Sequence, residues 1–103
     1  MGMIQNRGLE SIAVKVELFG IAYLNTGIKE ITVELPKRVH FSQIVSTLGE
    51  ECPDLIGSVI SPDLAGLVGG HILNRSGVEF VDDGWIELEP KDSLLLFSNQ
   101  AGG

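Results

Sequence analysis

Leu94-Leu95-Leu96-Phe97 is apolar at every position, and Ser98-Asn99-Gln100-Ala101-Gly102-Gly103 follows it as a polar and then glycine stretch. Four apolar residues in a row, bounded by turn signals, fit a strand near the centre of a sheet better than an edge strand, which would alternate. If a single helix covers that sheet, only one face is buried and two of the four side chains point outward. With Leu94 and Leu96 beneath the helix, Leu95 and Phe97 lie on the open face.

Outward from this run, Glu89-Pro90-Lys91-Asp92 places proline at the second position of a type I turn, and Asp82-Asp83-Gly84 reads as another turn. Between them, residues 85–88 form a short apolar piece in which Trp85 reads as a core anchor. Residues 72–74 and 79–81 can pair as a hairpin around Arg75-Ser76-Gly77. Residues 54–70 mix apolar side chains with Pro62 and glycines, which predicts an irregular connection with a short helical turn. The Gly69-Gly70 pair lacks the Lys and Ser/Thr of a phosphate loop, so it reads as a turn.

Nearer the start, Ile12, Val14, Val16 and Leu18 alternate with Ala13, Lys15, Glu17 and Phe19, the period of a strand with one buried face. Residues 20–27 make the turn, and Ile31, Val33 and Leu35 alternate again within a second strand over 28–35. Phe41, Ile44, Val45, Leu48 and Cys52 then recur at helical spacing, predicting one amphipathic helix. His40 or Ser42 can cap it, and Pro53 stops it. Residues 1–10 show no periodicity and read as a flexible leader, 11–98 as the domain, and 99–103 as a flexible tail.

Composition excludes several function classes. Seven Lys and Arg against fourteen Asp and Glu give a net charge of -7, with no basic stripe to neutralise phosphates, so nucleic acid is not an expected partner. No apolar run approaches the roughly 20 residues that span a bilayer, and the start lacks a signal-peptide layout. No membrane association is expected, and the expected location is cytoplasmic. Cys52 is the single cysteine and reads as an apolar helix-end position, not a nucleophile. His40 and His71 have no third ligand at metal spacing and read as surface or loop residues. No metal site is expected. Asp82, Asp83, Glu87 and Glu89 read as a solvated acidic stretch rather than an acid/base pair.

The order strand, strand, helix, short strands, strand is that of a ubiquitin-like β-grasp fold, an α+β class in which a main helix crosses a mixed sheet and the first and last strands run parallel at its centre. The segment Val16-Glu17-Leu18-Phe19-Gly20-Ile21-Ala22, the helix through Leu48, Leu88-Glu89-Pro90-Lys91-Asp92 and the terminal Ala101-Gly102-Gly103 resemble the MoaD/ThiS family of sulfur carriers. That family holds the small subunit of molybdopterin synthase, the thiamine-pathway carrier and related small modifiers. The chain departs from the family in its Ser98-Asn99-Gln100 approach to the tail, in Lys91 at a turn position where glycine is common, and in its long glycine-rich connection around residues 65–71.

The resemblance implies a protein cosubstrate and not an enzyme. Gly103 would be adenylated by an E1-like enzyme that uses ATP, and then converted to a thiocarboxylate, the active form, with no permanently bound cofactor. Gly102 and Ala101 would let the tail enter a narrow pocket, since glycine removes the Cβ and widens the backbone angles. A second partner, of the molybdopterin synthase large subunit or thiazole synthase type, would accept the sulfur. Molybdopterin biosynthesis is the expected pathway. The alternatives are a carrier for thiamine or another metabolite, a modifier joined to proteins through Gly103, and a plain β-grasp interaction module. Ordering a tail with almost no side chains costs about 1 to 2 kcal/mol per residue, so the globule must dock as well. Phe19, Leu95 and Phe97 are the expected docking patch. The other reading is that a loop covers this face and they are core.

Overall fold

A computed structural model describes residues 11–99. The leader assigned to 1–10 and the tail positions Ala101, Gly102 and Gly103 therefore lie outside the described residues. In chain order the elements are β1 (Ser11–Leu18), α1 (Ile21–Thr26), β2 (Glu30–Pro36), β3 (Arg38–His40), α2 (Phe41–Glu51), β4 (His71–Arg75), β5 (Glu79–Val81), β6 (Trp85–Glu87) and β7 (Ser93–Ser98). A 5-stranded sheet runs β2-β1-β7-β4-β5, and β3 with β6 makes a separate 2-stranded ribbon.

β1 and β7 pair in parallel at the centre, with Val16 opposite Leu94 and Leu18 opposite Leu96, while β2 and β4 flank them antiparallel. This is the β-grasp arrangement expected from the order of elements. The alternation in β1 and β2 is realised as drawn: Val14, Val16, Leu18, Val33 and Leu35 are buried, together with Leu94 and Leu96 of β7. Against them α2 lays Ile44, Val45 and Leu48, so one helical stripe seals one sheet face.

Three local readings change, and the open choice of helix cap is resolved. Residues 20–27 are more than a turn, because a short helix α1 stands between Gly20 (φ 59, ψ -128) and Gly27 (φ 72). Gly27 ends that helix in the left-handed conformation, its N–H donating to the Tyr23 carbonyl at 2.7 Å, a cap that favours a residue without a Cβ. The start of α2 is capped by His40, whose Nδ1 accepts from the Ser42 N–H at 3.2 Å. Trp85 is not a core anchor, since it is 58% exposed. It lies on the β3–β6 ribbon with the Arg38 guanidinium 4.6 Å from its ring centroid and the His40 ring edge-on at 5.2 Å. His71 is neither surface nor loop: it opens β4 and is only 7% exposed.

The connection over residues 54–70 is irregular, as expected, with a 3-10 turn at Pro53–Leu55, yet it contributes Leu55, Val59 and Ile60 to the core. Cys52 sits buried at the end of α2. Burial pushes its thiol up, and Glu51 and Asp54 add to this, as suits a structural position rather than a nucleophile.

Asp92 ties two turns together. The Glu89-Pro90-Lys91-Asp92 turn closes with the Asp92 N–H on the Glu89 carbonyl at 2.9 Å. The Asp92 carboxylate in return accepts the Glu89 N–H at 2.9 Å and the Ser76 hydroxyl at 3.0 Å. Arg75 Nη1 stands 3.5 Å away. Burial pushes the Asp92 carboxyl up, but these hydrogen bonds and the nearby cations outweigh it and hold the group below the ordinary carboxylate range. A carboxyl whose folded value is depressed stabilises the fold above its unfolded value of about 3.9, and that contribution disappears as pH falls through the folded value. Asp92→Ala is therefore expected to lose about 3 kcal/mol in urea unfolding at neutral pH. Below about pH 4 the gap to the parent chain narrows.

Candidate functional site

The parallel pairing that centres the sheet also sets what its uncovered face presents. In register, Glu17 lies opposite Leu95 and Leu18 opposite Leu96, and the Phe19 N–H donates to the Leu96 carbonyl at 3.0 Å. The next step of the register brings Phe19 level with Phe97. On the other side of β7, Ile72 pairs with Phe97 and Asn74 with Leu95, and Phe80 of β5 pairs with Asn74. Because side chains alternate along each strand, these residues share the face opposite α2. One row reads Phe19, Phe97, Ile72 across three strands, and the next reads Leu95, Asn74, Phe80.

Phe19 is 43% exposed and Phe80 63% exposed, while Leu95, Phe97 and Ile72 are half-buried. The expected patch residues Phe19, Leu95 and Phe97 are thus brought together, and Leu94 and Leu96 face the core as the alternation requires. Ile72 and Phe80 extend the patch beyond the residues picked out by sequence. Their inclusion depends on the β4–β7 and β4–β5 registers, which no local pattern encodes. Past Phe19 the apolar surface continues onto α1, where Ile21 and Leu24 are exposed.

The rim of the patch is polar. Lys15 Nζ lies 4.0 Å from Glu17 and 3.8 Å from Glu30, exposed pairs that shape the surface while stabilising it by less than about 1 kcal/mol. Within the second row, Asn74 is buried and its Oδ1 has no partner among the described residues.

The chain leaves the sheet beside this face. Ser98 pairs with His71, and the Asn99 N–H donates to the Gly70 carbonyl at 2.7 Å, anchoring the backbone one residue past β7. From that anchor the four residues Gln100 to Gly103 could extend about 14 Å at most. Gly103, Gly102 and Ala101 lie outside the described residues, so the structure places their point of departure and not their path. Among the described residues no group of three or more His, Cys, Asp or Glu side chains could hold a metal ion, and no helix is long and apolar enough to cross a membrane.

No protein-family model matches the chain, and no curated protein matches it. Among solved structures, SAMP1 from Haloferax volcanii is similar with a TM-score of 0.72 at 22% identity, over 88% of this chain and 99% of that one. A second structure of the H. volcanii small archaeal modifier protein 1 gives 0.65 at 18% identity, covering 84% and 97%. The H. volcanii HVO 2177 protein gives 0.64 at 16% identity, covering 94% and 97%. The β-grasp fold is common to all of them.

Proposed function

We propose that this chain is a ubiquitin-like carrier activated at the carboxylate of Gly103, with the sheet's open face as the surface that its activating partner grips. The observation that carries this reading is the coincidence of an uncovered apolar row, Phe19, Phe97 and Ile72, with the departure point of an Ala-Gly-Gly tail. A tail of four residues beyond the Asn99 anchor has too few side chains to bind alone, and the patch beside it supplies the missing contact area. The likeness in fold to small archaeal modifier protein 1 supports the same reading.

The chemistry is that of an acyl group. A free carboxylate resists nucleophilic attack, so it first attacks the α-phosphorus of ATP in an E1-like enzyme, releasing pyrophosphate and forming an acyl adenylate. Sulfide then attacks the acyl carbon and AMP leaves, which yields a thiocarboxylate. A second biosynthetic partner accepts that sulfur, as in molybdopterin formation. In the alternative reading, a lysine amine of a target protein takes the place of sulfide and the chain becomes a modifier. The names of the similar archaeal structures favour keeping that alternative.

Intact-mass measurement of the full chain, incubated with ATP, a sulfide source and the host's E1-like enzyme, tests the proposal. Replacement of one oxygen by sulfur supports the carrier, and higher-mass conjugates support the modifier. If neither adenylate, thiocarboxylate nor conjugate forms, the reading fails. Phe19→Asp and Phe97→Asp should each raise the KM for activation about tenfold or more with kcat little changed. Collapse of the thermal transition in either variant would instead mark that residue as core.

A further inference from the structure

A cleft of about 580 Å³ opens at the β4–β5 edge of the sheet, between the start of α2 and the tail's departure point, lined by Phe41, Leu67, His71, Phe80, Asp82 and Asn99 among others. Its polar groups share one property. His71 Nδ1 lies 2.9 Å from the Val68 carbonyl oxygen, which can only accept, so Nδ1 carries a proton and, in the neutral imidazole, Nε2 is left with a lone pair. That Nε2 is buried and has no partner among the described residues. Asp82 is exposed and offers carboxylate oxygens, and the ion pairs among the described residues engage Lys15 and Arg75 without it. Asn99 spends its backbone N–H on Gly70 and keeps its side-chain amide free of hydrogen bonds among the described residues. The rest of the lining is apolar, with Phe41 and Phe80 supplying aromatic rings.

We propose that this cleft is a socket for an arginine side chain presented by the protein that docks on the open face. A buried acceptor without a donor has lost its water and gained nothing in return, and a carboxylate at the mouth favours a cation. The matching group is one that only donates, carries positive charge and rides on an apolar stem between aromatic walls. Guanidinium fits each requirement, with five N–H donors in a fixed plane and an affinity for aromatic faces. The net charge of -7 draws such a partner in. Ile72 and Phe80 belong to both cleft and open face, so one docking event fills the socket and covers the patch. The identity of the arginine's bearer as an activating enzyme rests on the carrier reading; the socket's chemistry does not.

The full chain, labelled with ¹⁵N, is titrated with N-acetyl-arginine methylamide and separately with its citrulline counterpart, which keeps the shape and loses the charge. Saturable shifts centred on Phe41, Phe80, Asp82, Asn99 and the His71 Nε2 resonance are expected. Citrulline should bind about tenfold more weakly, and Asp82→Asn, at an exposed position, should weaken arginine by a similar factor. Equal binding of citrulline, no saturable response, shifts spread over every acidic patch, or an unchanged Asp82→Asn response would each overturn the proposal. Preference for the lysine analogue would overturn it in favour of an ammonium site. Because no adenylation is involved, failure here leaves the carrier reading intact, and failure of thiocarboxylate formation leaves the socket intact.

Discussion

Removing Gly103 is expected to abolish adenylation, and with it any thiocarboxylate or conjugate, while the unfolding curve stays that of the parent chain. The described sheet ends at Ser98, and the backbone is anchored at Asn99 by the Gly70 carbonyl. Shortening the chain by one residue therefore withdraws the carboxylate by about 3.5 Å from the point it reaches in the full-length tail. Reacting atoms must approach to roughly 3–3.5 Å, and a misplacement of about 1 Å can already cost about a hundredfold. Loss below detection is the expected result in a pyrophosphate-exchange assay. The patch variants differ in kind: Phe19→Asp or Phe97→Asp weakens docking and raises KM, but a saturating concentration restores turnover. A Gly103-deleted chain cannot be rescued by concentration. It should instead compete with the full chain for the activating enzyme, since its docking face is unchanged. A truncated chain that is still activated would place the reacting carboxylate elsewhere and end the carrier reading.

Much of the fold was legible because local pattern and global placement agree. The period-two alternation in β1 and β2, the helical spacing from Phe41 to Leu48 and the solid run in β7 each specify both an element and its buried face. What escaped was non-local or too short to carry a period. β3 is three residues long, and its partner Trp85–Glu87 lies far along the chain, so neither strand announces the other. Trp85 is illegible for the same reason. Its size suggests the core, but the ribbon turns it outward onto Arg38. α1 spans six residues between glycines, and a helix that short has no propensity signal strong enough to stand against a turn reading. His71 carries no local signal that separates a loop from the start of β4, where it pairs with Ser98. At the site, Leu95 and Phe97 are legible because four consecutive apolar residues cannot all lie beneath one helix, and Phe19 because parallel pairing of the first and last strands brings it near Phe97. Ile72 and Phe80 join only through strand register, and the cleft beside them needs β4, β5 and the connection before them placed together.

The sharpest separation of fold from function comes from two neighbours in one strand. Leu96 is fully buried, flanked by Leu18 on β1 and Leu73 on β4, and it packs in the cluster with Ile44, Val45 and Leu48 of α2. Leu96→Ala deletes buried methyl groups and leaves a void that a central strand, hydrogen-bonded on both edges, cannot relax to fill. The expected loss is about 3–5 kcal/mol. Against a total of about 5–15 kcal/mol for a domain, that removes much of the margin. At about 4–8 °C per kcal/mol, the midpoint should fall by roughly 12 to 40 °C, so calorimetry reads it directly. Leu95 is half-buried on the opposite face, and Leu95→Ala should cost about 1 kcal/mol or less. Its effect should appear in docking instead, as a raised KM for activation. If Leu95→Ala lost as much stability as Leu96→Ala, the face would have to be covered by other parts of the chain, and the apolar row beside the tail would be core. Unequal stability losses, with the activation defect confined to Leu95→Ala, assign one face of β7 to the fold and the other to the partner.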